Sequence, residues 1–464
     1  MMRSLFAGVA GLKTHQTKMD VIGNNIANVN TVAYKSQSAT FSDLMYQTTQ
    51  RASGPNAETG TAGTNAKQIG LGVKMGAIKT AITTEGAAQT TGDPFDVKIT
   101  GESFFIVNGG GQNVFTRDGS FYVDAAGNLA MASNGYNVMG WLPDTQNPTT
   151  IKKDTVQALR VMSPEAMQYD PKATEAGTLS GILDRNDPNV ATTDGRVLSL
   201  QFYDNKGYSY TMKFAMKEII DANTGAVDPG KYTLDLTQVL DSEGNAVADN
   251  AGFELNQTTI TFDLDSGKVT DVKNADTDTF ESDKTTGVFN FTVTNKTATA
   301  DGGTEGFRNI KIDVGSVLWW DNGGTSTIGM EKGDPDGLNA GRKVGNLSGI
   351  SIQDDGMIYA SYDNGQRRLL GQIAVAKFAN ASGLEKAGDN LYKQTLNSGE
   401  FDGIGVTVDS DGEGYFSTGV LEMSNVDLSS EFTEMITTQR GFQANSRIIT
   451  VSDTLLEELT NLKR

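Results

Sequence analysis

At 464 residues, 37% hydrophobic and 20% charged, the chain is composed like a folded protein and exceeds the size at which one core keeps growing, so roughly two to four domains are expected. Its net charge of −19 argues against nucleic acid as a partner, and the absence of cysteine excludes disulfides and thiolate metal sites. The single histidine, His15, excludes multi-histidine metal sites; its neighbours Lys13, Thr14 and Gln16 predict a solvated or interface role on a polar part of the first helix.

That helix is announced by Leu5, Leu12, Met19 and Ile26, which recur every seventh residue, with Val9 and Ile22 filling the intervening turns. A seven-residue apolar period is the seam of a helix that winds around another helix. The stretch SLFAGVAGL is followed by KTHQTKMD with no A-x-A cleavage site, so the segment is expected to persist as a helix rather than leave as a signal peptide. No run approaches the roughly 18 apolar residues of a membrane span.

The helix ends in GNNIANVNTVAYK, residues 23 to 35, where Asn24, Asn25, Asn28 and Asn30 crowd together. Asparagine is a mediocre helix former because its amide competes for nearby backbone groups. Ile22, Ile26 and Val29 keep an apolar stripe while the amides fill the other faces, which suits a helix touched by protein all around. The amides are expected to pack against neighbouring copies, with local capping as the alternative. From Thr48 to Lys67 the chain turns rich in Gly, Thr, Ala and Asn and reads as a linker or extended arm.

Glycine-punctuated β sequence follows. DVKITGESFFIV, from Asp96 to Val107, leads into TRDGSF, DAAGNL and SNGY, a meander of short strands, and NGGGQ at Asn108 to Gln112 reads as a hairpin turn rather than a phosphate loop. A similar block runs from Ile350 to Phe378. Residues between about 151 and 345, richer in Asp, Thr and Asn, carry β runs such as VLSLQFYD and GVFNFTVT and read as one or two inserted β domains. At the far end Leu428, Met435, Phe442, Ile449 and Leu456 repeat the seven-residue interval, helped by Phe432, Leu459 and Leu462; Asp427 stands at the N-cap position and Glu431 in the first turn. Isolated, such a helix pair is marginal, and contacts with further copies would stabilise it.

The expected fold class is therefore mainly β with terminal α-helices. An inner helical domain, 1–32 with 427–464, encloses a linker or arm at 33–70, a middle β domain at 71–150 with 345–426, and an inserted outer β domain at 151–344. No chemistry stands out. GLGVKMG, from Gly70 to Gly76, spaces its glycines wrongly for a dinucleotide, and Asp409, Asp411 and Glu413 imitate a calcium loop whose twelfth position is Val420 instead of Glu. No carboxylate pair is singled out, so neither enzyme activity nor a cofactor is expected.

Several segments resemble one family, the bacterial flagellar axial proteins of rod and hook. GNNIANVNTVAYK is similar to its N-terminal signature, with Ala33 where the common form has glycine; ITGESFFIVN, FTRDGSF, LGQIAVAKF, NLYKQTLNSG and the C-terminal LEMSNVDLSSEFTEMITTQRGFQANSRIIT continue the likeness outside the insert. Rod subunits of the family are shorter, so the large insert resembles the hook branch. The resemblance implies a structural subunit of a self-assembling helical tube that joins rod to filament and transmits torque as a flexible joint. It further implies an extracellular location after export through the flagellar apparatus without signal cleavage. Implied partners are further copies of the chain, the hook cap, and distal rod and hook-filament junction proteins, with no nucleic acid and no membrane insertion. Some relatives crosslink through a cysteine and a lysine, a route closed to a cysteine-free chain. The assembly residues expected on this reading are Leu5, Val9, Leu12, Met19, Ile22, Asn24, Asn25, Ile26, Asn28, Asn30, Leu428, Phe432, Met435, Phe442, Ile449 and Leu456. A rod or hook-junction subunit is the near alternative, and a secreted β-rich adhesin the distant one.

Overall fold

The computed structural model describes residues 2–55, 60, 62–220, 226–255, 257–274, 280–283, 288–296, 306–409 and 414–462. The chain divides into two compact units: Met1–Ala166, Gly349–Ser361 and Arg367–Arg464 form the first, and Met167–Ser348 with Tyr362–Gln366 the second. Residues 151–166, expected in the insert, thus fall in the first unit.

In the first unit α1 (Met2–Ala27) and α2 (Leu428–Asn461) are the only α-helices among the described residues, and they pack on each other. Asp427 caps α2 as expected, its side chain accepting from the amides of Ser429 and Ser430. After α1 the chain forms a long antiparallel ladder. β1 (Gln37–Asp43) pairs with β4 (Val73–Thr80), and farther out β2 (Tyr46–Gln50) pairs with β3 (Lys67–Gly70). The segment expected as a linker or extended arm thus belongs to a two-stranded ladder. Every residue of β2 and β3 is exposed.

The two β blocks of this unit, far apart in sequence, share strands. Phe104–Gly109 forms a hairpin with Gln112–Thr116, and the turn between them holds Gly110 and Gly111 at positive φ, as the NGGGQ reading requires. From the later block Val375 pairs with Phe105 and Leu391 with Thr116, while Gly140 pairs with Ile373. Alternating side chains from both blocks then meet in one core of Phe104, Ile106, Phe115, Trp141, Ala374, Phe378 and Tyr392. Two more late strands close the block: Tyr415–Thr418 pairs with Val97–Thr100, and Val420–Glu422 with Ala88–Thr90.

The second unit holds a five-stranded antiparallel sheet, from Arg196–Tyr203 to Val269–Asn274, and a six-stranded sheet in which Ala176–Leu183 runs parallel to Ile310–Trp319. Arg196–Tyr203, within the expected β run VLSLQFYD, alternates and buries Leu198, Leu200 and Phe202. These join Phe214, Leu234, Ile260, Phe291 and Ile312 from both sheets in a single core.

Candidate assembly surface

The two helices run antiparallel, and the seam between them is lined by small and polar residues. Ser4 faces Ser452 at 3.5 Å, and a Cβ on Gly8 would touch Ile449 at 3.3 Å. A Cβ on Gly11 would lie 2.7 Å from the Asn445 amide, and one on Gly441 only 2.6 Å from the His15 ring. Absent side chains let the two backbones approach closely, which is the use of glycine here. Polar side chains along the seam bond within their own helices: the Thr14 hydroxyl donates to Ala10 O, Asn445 Nδ2 to Gly441 O and the Ser452 hydroxyl to Ile448 O, whereas the buried His15 Nδ1 makes no hydrogen bond. Lys18 and Glu434 pair at 3.0 Å along the edge of this seam.

The expected seam of large apolar residues is therefore corrected in part. Ile22 is buried and Ile449 meets Gly8, but Leu5, Leu12, Met19, Ile26, Met435, Phe442 and Leu456 are only half-buried, and Val9, Leu428 and Phe432 are exposed. His15 is also not merely solvated. Its ring packs edge-to-face on Phe41 of β1 at 5.5 Å, and burial, with the charge of Lys18, holds its pKa below the usual histidine value.

The seven-residue repeat, which named Leu459 and Leu462 only as helpers, did not single out a further exposed apolar face of α2. Ile448, Val451, Leu455, Leu459 and Leu462 are 44%, 56%, 44%, 48% and 82% exposed, and their 3-4-4-3 spacing sets them within an arc of about 80°. Leu428, Phe432 and Ile436 form a second exposed group on roughly the opposite side of α2, and Phe6 and Val9 a third on α1. A contiguous apolar stripe of this kind marks an interaction surface. Its signal in the sequence was the same 3.6-residue period, masked by attention to every seventh position.

The asparagines resolve into two jobs. Asn25 is fully buried with all of its hydrogen-bonding positions used: Nδ2 donates to Gln37 O and Glu431 Oε1, and Oδ1 accepts from the Gln37 amide and the Tyr34 hydroxyl. It joins α1, the start of the arm and the first turn of α2, which leaves no polar atom for a neighbouring copy. Asn28 closes the end of α1 by donating to both Asn24 O and Asn24 Oδ1, and its own Oδ1 accepts from Thr31. Asn24 also donates to the Tyr34 hydroxyl, and Asn24 and Asn30 remain exposed at the surface. Ala33, at the position of the family's glycine, does take the left-handed conformation with φ 56° while 1% exposed, and its amide donates to Glu422 O at 2.8 Å.

Beneath this corner lies a buried charge cluster that the sequence did not reveal. Lys35 Nζ donates to Glu422 Oε1 at 2.7 Å and to Thr84 O at 2.7 Å. Arg117 Nε sits 3.4 Å from Glu422 Oε2 without a linear hydrogen bond, while its Nη1 donates to Gly101 O and Ser103 O at 2.6 Å each. The three side chains are at most 1% exposed. Burial pulls the Lys35 pKa down against the opposing charge of Glu422.

Of the imitated calcium loop, Asp411 and Glu413 lie outside the described residues. Among the described residues there is no cluster of three or more metal-ligating side chains, and no helix is long and apolar enough to cross a membrane.

Three family models match separate parts of the chain: Flagella basal body rod protein at residues 5–35, Flagellar hook protein FlgE/F/G D1 domain at 98–163, and Flagellar basal body rod FlgEFG protein C-terminal at 417–462. Flagellar hook protein FlgE of Treponema pallidum is 35% identical, with 100% of both chains covered. The chain belongs to the flagellar hook protein family. Another hook protein, FlgE of Borreliella burgdorferi, is 33% identical over 100% of both chains, and flagellar basal-body rod protein FlgG of Bacillus subtilis is 29% identical over the same full coverage. The solved Helicobacter pylori flagellar hook protein FlgE2 covers 72% of this chain and 100% of its own, at 12% identity and a TM-score of 0.43, too distant a likeness to bear on fold or function. Each of the three matched segments contributes one member of the buried cluster: Lys35, Arg117 and Glu422. A hook protein is a structural component of the flagellum outside the cell, and this chain is such a structural subunit.

Proposed function

We propose that copies of this chain assemble through their terminal helices into a helical tube, the flagellar hook, which joins rod to filament and transmits torque as a flexible joint. One observation carries the reading: α2 uses its small residues for α1 and keeps Ile448, Val451, Leu455, Leu459 and Leu462 exposed. At roughly 1.5 to 3 kcal/mol for the full burial of one such side chain, covering the exposed parts of those five would contribute on the order of 4 to 8 kcal/mol to contacts with further copies. The arm supports the same reading, because an exposed two-stranded ladder is marginal alone and gains from a neighbour. In this arrangement the helices line the inner wall, the β block that holds Phe104 and Trp141 forms the middle layer, and the second unit faces solvent. The partners are then other copies, the hook cap, and distal rod and junction proteins, reached by export without signal cleavage.

Flexibility is assigned to the outer unit: bending slides its contacts while the helices hold. Removing residues 155–340 and finding hooks of unchanged stiffness would sink that part. A rod subunit is the second reading, favoured by the full-length match to the Bacillus rod protein. Immunogold electron microscopy on intact cells, with antibody against residues 155–340, separates the two. Gold on a short curved segment between cell and filament is the expected result; labelling that appears only after the envelope is opened would place the chain in the rod.

A further inference from the structure

Among the described residues, Glu422 is the only fully buried carboxylate touching the two buried cations Lys35 and Arg117. The nearest other acid in the network, Glu85, stays at the rim, where it pairs with Lys98 at 3.3 Å and accepts from the Gly101 amide. Take Glu422 away and Lys35 and Arg117 keep only backbone carbonyls and, for Arg117, the face of the Phe104 ring at 5.6 Å, an arrangement that is strongly unfavourable for enclosed cations. The β block of the first unit therefore cannot close over Lys35 and Arg117 at low cost until Glu422 is in place. Glu422 lies 387 residues from Lys35 along the chain, and the whole second unit intervenes.

The same residue also holds both helix ends. Its backbone oxygen accepts from the Ala33 amide just beyond α1, and its Oε1 accepts from the Gly86 amide. Three residues on, Asn425 accepts from the Ser36 amide and donates to Ala81 O, just before Asp427 caps α2. The exit of α1 and the entry of α2 thus meet at one carboxylate and its immediate neighbours.

We propose that Glu422 is a positioning residue that sets the order of folding: the β block closes, and α1 and α2 pair, only once the 420–425 segment has docked. Fixing register and order is the best-attested use of a buried ion pair, which by itself adds little stability. The functional consequence rests on the assembly reading: a chain whose C-terminal segment has not arrived presents no helix pair to a growing polymer. The folding order itself does not depend on that reading.

The test is pulsed hydrogen exchange during refolding of the full-length monomer, with polymerisation followed separately by electron microscopy so that either idea fails alone. In the natural chain, amides of Val97–Thr100 and Gln112–Thr116 are expected to gain protection in the same phase as Val420–Glu422; protection of the early strands first would overturn the proposal. Glu422→Gln keeps the shape and removes the charge. Exchange at residues 33–36 and 112–118 should then accelerate about 100-fold while the second unit is unchanged, and unaltered exchange would also overturn it. If that variant does not fold, a triple variant, Lys35→Met with Arg117→Leu and Glu422→Leu, enters the same experiment. It should fold with the early strands protected ahead of residues 420–422, and retention of the natural order would show that charge is not the latch.

Discussion

Leu198, Leu200 and Phe202 in the second unit and Ile448, Val451 and Leu455 on α2 are equally apolar, yet the first three are buried and the second three stand in solvent. The second unit covers its apolar faces with its own two sheets, so its alternating strands close on one core. The helix pair spends its close contact on Gly8, Gly11, Gly441 and Ser452 and leaves large side chains outward. One region closes its apolar faces within the monomer; the other leaves a face open that the proposed assembly covers with a neighbour. The contrast teaches that the length of an apolar pattern says less than where its small residues fall.

The largest break in this contrast should come from charging the open stripe. Leu455→Asp with Leu459→Asp leaves every contact of the α1–α2 seam in place but buries two carboxylates in any polymer contact, at several kcal/mol each. Assembly measured by sedimentation should weaken by more than about 100-fold, while calorimetry of the second unit gives an unchanged melting transition. Persistence of full-length polymers would remove α2 from the interface.

Next comes the seam. Gly11→Val forces Cβ and two methyl groups against the Asn445 amide, where even a Cβ is too close at 2.7 Å. Overpacking of this kind costs about 1–3 kcal/mol. Proteolysis within α1 and α2 should speed up with the second unit intact; unchanged cleavage would mean that the helices do not rely on close approach. The reverse selectivity belongs to Asp187. Burial pushes its pKa up, but hydrogen bonds from the Asn189 and Ser326 amides and the charge of Arg196 outweigh this and lower it from 3.8 to about 2. A depressed carboxylate contributes stability that is full above its unfolded pKa and is lost as pH falls toward its folded one. The second unit should therefore lose stability between about pH 4 and pH 2, and Asp187→Asn should flatten that window in an acid titration. An unaltered slope would locate the acid sensitivity elsewhere.

How much of this was legible depends on range. Local rules gave the Asp427 cap, the glycine turn at Asn108 to Gln112, the β run at Arg196–Tyr203 and both terminal helices. Pairings between distant segments were only partly visible: the nesting of two β blocks follows from their similar rhythm, but the arm ladder does not, because Thr48–Lys67 lacks apolar alternation. The charge cluster was invisible, since Lys35, Arg117 and Glu422 look like three surface charges until 387 residues of chain fold back. Asn25 misled for a related reason: an amide that suits an interface also suits a buried junction, and composition does not tell them apart.

Smaller effects test the corner where α1 ends. Asn24→Asp with Asn28→Asp removes the two amide donors that close the helix and adds negative charge at its C-terminus, where the helix dipole disfavours it. The cost should be about 1–2 kcal/mol, seen as weaker assembly with the β cores melting normally. No change in assembly would leave these asparagines without a structural task.

Ala33→Gly should have the smallest effect. The left-handed φ of 56° costs an L-residue with a Cβ roughly 1–2 kcal/mol, which glycine does not incur. Against that gain stand the greater chain entropy of glycine, roughly 0.5–1 kcal/mol, and the loss of one buried methyl, about 0.8 kcal/mol. The terms nearly cancel, so the helix corner should change stability by less than about 1 kcal/mol. A large destabilisation would mean that the Ala33 methyl packs better than its backbone is strained. A clear stabilisation would mean that the strain at the Ala33–Glu422 hydrogen bond is real and that this chain retains it where the family's glycine avoids it.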